Sequence, residues 1–229
     1  MKNKLVCVLL ISMIGTMPGV MANAEEPATE AESLLTGKYE KQHRAVRNPV
    51  YREAATSFAG GDGSEESPYE ISSAEELQYL SDLLSDEENR SSEYRNRHYI
   101  LTADISLNDT SDYAGWSEAG PEYDWRPIGV AAAFGGVFDG NGHTISGLYI
   151  NADMEDDNTA DARKNGGLFA QIFGGTVKNL NLTEVYIEVS GDALDTGAIA
   201  GSASKAEISD CTVDGLVIGY EDYTGGLVG

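Results

Sequence analysis

The chain repeats itself, and that fact restricts its fold more than any other. Gly135-Gly136-Val137-Phe138 recurs as Gly166-Gly167-Leu168-Phe169, as Gly197-Ala198-Ile199-Ala200 and as Gly225-Gly226-Leu227-Val228. A second pattern keeps step with the first. Ile145, Leu148 and Ile150 match Val177, Leu180 and Leu182 one unit on, and these match Ile208, Cys211 and Val213 in the unit after. A period of this size, about 30 residues, belongs to a solenoid or a propeller.

The units contain short apolar pieces separated by Gly, Asn, Asp and Ser, with no amphipathic run of helical length. Helical repeats are therefore excluded. Propeller blades are longer, about 40 residues, and join their strands by hairpins. These units are shorter and lack two-residue hairpin turns between matched strands. Parallel coiling fits better: each strand pairs with its copy one turn along, and like side chains stack at the sheet spacing of about 4.8 Å. The predicted fold is thus all-β, a parallel β-helix with turns of about 31 residues. Two ladders are expected, Ile145 with Val177 and Ile208, and Leu148 with Leu180 and Cys211. Cys211 then reads as a small buried hydrophobe. Repeating glycines at strand starts permit corners that a Cβ would obstruct.

Ahead of the repeats, Gly60-Gly61-Asp62-Gly63 reads as a turn and Pro68 to Ile71 as a short extended piece. Ser72 with Glu75, or Ser73 with Glu76, then gives a capping box. Ala74, Leu77, Leu80, Leu83 and Leu84 make one apolar stripe, so a helix is predicted over 73–85. Leu101, Ala103, Ile105 and Leu107 alternate with mostly polar neighbours and predict a half-buried strand over 99–107. A loop rich in acids and aromatics follows, 108–126.

Several of these stretches resemble a known group. Gly225-Gly226-Leu227-Val228-Gly229 resembles the GLUG motif of bacterial surface proteins, and Phe134 to Leu148 resembles the segment that precedes such repeats. Ser67 to Leu77, Tyr99 to Leu107 and Trp125-Arg126-Pro127-Ile128-Gly129 are similar to the group's opening strand, helix and first turn. The resemblance covers roughly residues 58 to 229, and departs from the strict motif at Ala170 and at Ala198 to Ala200. It implies a right-handed β-helix on large, often adhesin-like, cell-surface proteins. Similar repeats also accompany IgA-type zinc metallopeptidases. The helix at 73–85 would then cap the open N-terminal end of the solenoid, whose edge strands otherwise invite aggregation. The chain stops on the motif that should open another turn, so a fragment with further turns beyond Gly229 is expected.

The N-terminus carries its own signature. Lys2 and Lys4 precede an uncharged apolar run from Leu5 to about Met17, Pro18-Gly19 breaks it, and Ala22-Asn23-Ala24 supplies small residues. This is the layout of a secretory signal peptide over 1–24, cut before Glu25, and the run is shorter than the roughly 20 residues of a membrane span. The expected organisation is signal peptide 1–24, linker 25–58, N-terminal cap 59–133 and repeats 134–229. The chain bears a formal charge of −23, and −25 without the two lysines of the leader. Such a chain repels nucleic acid and anionic membrane surfaces. Cys211 alone remains after cleavage, so no intrachain disulfide is available in the exported chain.

A search for chemistry finds no catalytic constellation. His43, His98 and His143 are isolated and no His-Glu-x-x-His is present, so metallopeptidase chemistry is absent from this chain. No Gly-x-Ser-x-Gly elbow and no phosphate loop occur. Glu184 and Glu188 would share one strand face, separated by roughly 13 Å, beyond the carboxylate spacing of glycosidases. Asp153, Glu155, Asp156, Asp157 and Asp161 crowd an insertion between turns. Calcium is the one cofactor this cluster suggests, yet neither the EF-hand nor the β-roll pattern is met, and a solvated acidic loop is the preferred reading. The 108–126 loop offers the best binding surface. Trp116 and Tyr123 beside Asp112 and Asp124 could stack on a sugar and bond its hydroxyls; packing over the cap and first turn is the preferred reading. The function read from the sequence is a non-catalytic extracellular surface module, adhesin-like or a rigid stalk, with a glycan or host surface protein as partner. The alternatives are a carbohydrate-active β-helix enzyme and an accessory domain of a larger secreted protease.

Overall fold

In a computed structural model of the chain, residues 7–11, 48–85, 92–153, 165–190, 195–219 and 223–229 are described. They are mostly β, with few helices. The strands are β1 (Cys7–Ile11), β2 (Tyr69–Ile71), β3 (His98–Leu101), β4 (Ile105–Ser106), β5 (Val137–Asp139), β6 (Thr144–Ser146), β7 (Tyr149–Asp153) and β8 (Phe169–Phe173). They continue as β9 (Thr176–Lys178), β10 (Asn181–Ser190), β11 (Asp195–Thr196), β12 (Ala200–Ser204), β13 (Glu207–Ser209), β14 (Thr212–Gly219) and β15 (Tyr223–Thr224). The helices are α1 (Ala74–Ser85) and the single turn α2 (Ser92–Arg95).

Pairing follows the repeat. One sheet runs β13-β9-β5-β3-β2, all parallel. A second runs β14-β10-β6-β4, also parallel, with β7 on the same side of β10 as β6. Two short parallel pairs, β8 with β12 and β11 with β15, lie outside these two sheets. These are curled parallel sheets, and they do not close on themselves. Across the last two turns, partners lie a constant step apart in the chain, as Phe169 with Ala200, Val177 with Ile208 and Leu182 with Val213. That step is the one between Gly166 and Gly197 in the sequence; the Gly135 segment does not share it, since Val137 pairs with Thr176 and Phe138 with Val177, while Phe169 is bridged to Ile128.

The corners repeat in the same step. Left-handed backbone occurs at Asn179 and again at Asp210, and at Gly174 and again at Lys205. Asn and Asp adopt this conformation more easily than other side chains, and glycine does so freely. The glycine pairs also allow close approach: a Cβ on Gly136 would run into the carbonyl of Arg97 in the preceding turn.

The interior is one continuous apolar cluster, from Ile71 and Leu77 through Phe138, Phe169 and Ile187 to Val217. The ladders differ from those expected. Val177 and Ile208 stack on Phe138, whereas Ile145 stacks on Leu182 and Val213, with Ile105 below it. The reason is the length of the first repeat: Phe138 pairs with Val177 and not with Phe169, so the step already exceeds the regular one before any corner is crossed. Four residues, Gly140 to His143, join β5 to β6, but only two join β9 to β10 and β13 to β14. The regular step carried back from Val177 falls short of Phe138 and lands near Ile145, which lies past that corner in the other sheet. Leu148 likewise lies beside Val185, since Tyr149 pairs with Tyr186 and Ile150 with Ile187. Leu180 and Cys211 do recur at equivalent corners, and Cys211 is half-buried against the core.

The expected strand over 99–107 is two strands, β3 and β4, in different sheets with a bend at 102–104. Leu101, Ile105 and Leu107 are all buried, so the period-2 pattern passes through the bend unchanged and hides it. Helix α1 begins as predicted. Ser73 Oγ accepts the Glu76 N–H at 3.2 Å, and Glu76 reaches back to the Ser72 N–H at 2.7 Å. Its buried stripe, Ala74, Leu77, Leu80 and Leu84, joins the common core.

Residues 48–58, expected to be linker, pack on this end of the molecule. Phe58 stacks on Tyr69 with ring centroids 4.6 Å apart and meets the edge of Tyr99. Ala59 and Gly60 bond antiparallel to Glu70 and cover the free edge of β2. At the opposite edge, β1 lies antiparallel on β14 with Cys7 opposite Gly219, so part of the apolar run read as a leader is paired to the sheet here. Among the described residues no helix is long and apolar enough to cross a membrane.

Candidate binding surface

The 108–126 loop is closed at its base by one side chain. Asn108 donates from Nδ2 to the carbonyls of Tyr123 and Gly147, both at 3.0 Å, and its Oδ1 accepts the Tyr123 N–H at 3.0 Å. Asn108 is 5 % exposed, and all these groups would be costly to bury unpaired. Within the loop, Asp109 accepts the Ser111 N–H at 3.0 Å, which holds its carboxyl below the ordinary carboxylate range. A short 3-10 turn follows at Tyr113–Gly115.

The loop lies against the outer face of the second sheet. Tyr149 and Tyr186, paired across β7 and β10, stack with centroids 5.4 Å apart. Trp116 meets the edge of Tyr149 at 5.6 Å, and Tyr113 meets Trp116 at 5.2 Å. Such edge-to-face pairs suit the ring quadrupoles. The Tyr113 hydroxyl donates to the Val185 carbonyl at 2.7 Å. Burial, and then the charge of Asp214, push its pKa up to about 12. Gly120 is needed here, because a Cβ would collide with the Tyr149 hydroxyl.

The three residues singled out for ligand binding therefore have distinct surroundings. Trp116 is 2 % exposed, inside the aromatic cluster. Asp124 is also buried: its Oδ2 accepts the Val50 N–H at 2.9 Å while its own N–H bonds to the Val50 carbonyl at 2.7 Å. Tyr123 is half-buried, with the Arg52 guanidinium 4.3 Å from its ring centroid. Arg52 is fixed by Glu75 at 3.0 Å and by the Leu107 carbonyl at 2.9 Å. A hydrogen bond to Glu122 and that residue's charge raise the Tyr123 pKa.

What the loop leaves open is a cleft of about 350 Å³ lined by Arg52, Asp109, Asp112, Glu122 and Tyr123 among others. Its chemistry is that of hydrogen-bond acceptors around one aromatic edge. A broader groove of about 730 Å³ runs between Ala54–Thr56 and α1, where Tyr79, Asp82 and Arg126 face it. The part played by residues 48–56 in both grooves was not visible in the sequence, where this stretch is polar and weakly periodic. Only Arg52 and Tyr51, each placed to stack a ring against a guanidinium, hint at it.

Glu184 does not share a continuous strand face with Glu188. It occupies a left-handed bend, φ +53°, where the register of β10 on β14 shifts, and Glu188 accepts the Tyr186 hydroxyl at 2.7 Å. His143 contacts Asp104 at 3.1 Å, and the Thr144 N–H also bonds to that carboxylate, holding Asp104 below the usual range. Among the described residues no three His, Cys, Asp or Glu side chains converge as metal ligands. The acidic insertion considered for calcium lies outside the described residues, apart from the backbone of Asp153.

No protein family and no solved structure matches the chain. Two curated proteins are similar to it. Halomucin of Haloquadratum walsbyi is 34 % identical over 222 residues, 94 % of this chain and 2 % of that protein. A Gly-rich membrane protein of Evansella cellulosilytica is 32 % identical over 164 residues, 69 % of this chain and 16 % of that protein. The chain thus spans a small fraction of either relative.

Proposed function

We propose that this chain is a non-catalytic extracellular surface module, adhesin-like or a rigid stalk, built as a right-handed parallel β-helix of the GLUG-motif kind. The observation that carries the reading is the register, in which strands and left-handed corners return together once per repeat. A stack held by nearest-neighbour contacts lengthens into a stiff rod with each added turn. The similarity to Halomucin and to a Gly-rich membrane protein supports a surface or membrane-associated setting. Export would follow from the leader, cut before Glu25, and cleavage would remove β1 from the edge of β14. N-terminal sequencing of the exported protein should then begin at Glu25.

The acidic cleft beside Tyr123 is the surface through which such a module would hold a partner. Its carboxylates accept from sugar hydroxyls or from basic side chains of a host surface protein. The test is binding of the exported chain to a glycan and mucin array, with and without calcium. A hit lost on Tyr123→Ala or Asp112→Ala supports the module and locates its site. Silence in both conditions leaves the stalk, and release of cleaved sugar from any glycan would overturn the non-catalytic reading.

A further inference from the structure

Two Asn-Gly pairs occur in the coil, Asn141-Gly142 and Asn165-Gly166. This dipeptide is chemically reactive, because the glycine nitrogen, unhindered by a Cβ, can attack the side-chain amide of the asparagine before it. In both pairs the two reacting groups are tied down. The Gly142 N–H donates to the Asn179 carbonyl in the next turn at 2.8 Å, while Asn141 Nδ2 donates to the Leu101 carbonyl in the preceding turn at 3.2 Å. The Gly166 N–H donates to the Asp195 carbonyl of the next turn at 3.1 Å, and Asn165 Nδ2 donates to the Ala170 carbonyl at 3.2 Å. Burial is not what the two share, since Asn141 is exposed and Asn165 is 9 % exposed. The common feature is a glycine N–H committed to the neighbouring turn.

We propose that Asn141 and Asn165 are latent deamidation sites, held unreacted by hydrogen bonds between successive turns, so that deamidation records opening of the coil. In the reaction the glycine nitrogen gives up its proton to solvent base and bonds to the asparagine Cγ. The bond from Cγ to Nδ2 breaks and ammonia leaves, giving a five-membered succinimide. Water then opens either carbonyl of that ring, to aspartate or isoaspartate. Neither step can start while the glycine N–H is donated across the turns and the side-chain amide is held away. At Asn141 the change would be self-locking. Isoaspartate lengthens the backbone at a residue with φ +52°, and either product loses the Nδ2 donor to Leu101.

The full chain is incubated in mildly alkaline buffer, natively and in urea, and peptide-mapped for the one-dalton gain and for isoaspartate. Amide exchange of Gly142 and Gly166 is followed in parallel. The native reaction should be at least about tenfold slower than the unfolded one, as expected for a step requiring local opening. At each site the slowing should equal the protection of the glycine amide. A native rate equal to the unfolded one overturns the proposal, and so does slowing that fails to track that protection.

Discussion

The two junctions between turns are built differently. Where β5, β6 and β7 meet β9 and β10, partners stand further apart in the chain than one regular step, as Phe138 with Val177 and Ile150 with Ile187. Where β8, β9 and β10 meet β12, β13 and β14, the step stays constant up to the bend at Glu184. The irregular junction is the heavily packed one. Phe134 and Phe138 both meet Phe169, at 5.0 and 5.5 Å, and outside the sheet Trp116, Tyr149 and Tyr186 form a second aromatic cluster. The regular junction carries Ala200, Ala203, Val213 and Val217, and its outer members Ile208, Cys211 and Leu227 are only half-buried. Regular repetition and firm packing are thus separate properties. The first makes a fold readable, and the second holds it together.

The sharpest way to break this comparison is a truncation on each side. Phe138→Ala should cost about 3–5 kcal/mol, the range for emptying an aromatic site in a core. Ile208→Val should cost about 0.5 kcal/mol, the low end for that change, because Ile208 is half-buried. Urea unfolding measures both, and equal costs would erase the distinction. Trp116→Ala should follow, at about 3 kcal/mol. Its effect should centre on the 108–123 loop, seen as faster proteolysis there with the Phe138 cluster still folded.

Titration gives a smaller contrast. Burial would raise the Asp139 pKa, but hydrogen bonds from Asn179 and Asn141 and the Lys178 ammonium at 3.3 Å outweigh it and hold the carboxyl low. Its contribution is therefore present above the ordinary carboxylate range and lost as pH falls through the depressed value. Tyr113 is opposite in sign. Its stabilisation is complete below the ordinary phenol value of about 10 and lost as pH rises toward about 12. Asp139→Asn should flatten the acid limb of the urea midpoint against pH, and Tyr113→Phe the alkaline limb. A limb unchanged by its own substitution would remove that group from the account. The smallest effect expected is from Cys211→Ala, about 0.5 kcal/mol. A much larger loss would mean that the outer turn is packed as tightly as the inner one.

The sequence made the regular part legible and misread the rest for physical reasons. Val177, Ile208, Leu180 and Cys211 fall where the regular step puts them. Ile145 does not, because apolar spacing alone cannot report that the step from its turn to the next is longer than the regular one. The bend between Leu101 and Ile105 hides inside an unbroken alternation. Asn108, Asp124 and Arg52 were harder still, since their roles rest on backbone groups far along the chain, at Gly147, Val50 and Leu107. Of the candidate surface, the loop was visible in advance. The sequence favours packing of its aromatics over the cap and first turn, and burial places Trp116 inside.

The register itself can be tested with one engineered bond. Gln171 and Ser202 are paired across β8 and β12, one repeat apart, and neither is buried. In a background lacking Cys7 and Cys211, cysteines at these positions should oxidise readily to a disulfide, since paired strands place Cα atoms about 4.8 Å apart, within disulfide range. The same cysteine at 171 opposite one at Lys205, three residues off register, should stay reduced. A disulfide that fails at 171 and 202, or forms equally well in the shifted pair, would contradict the parallel pairing of strands one repeat apart.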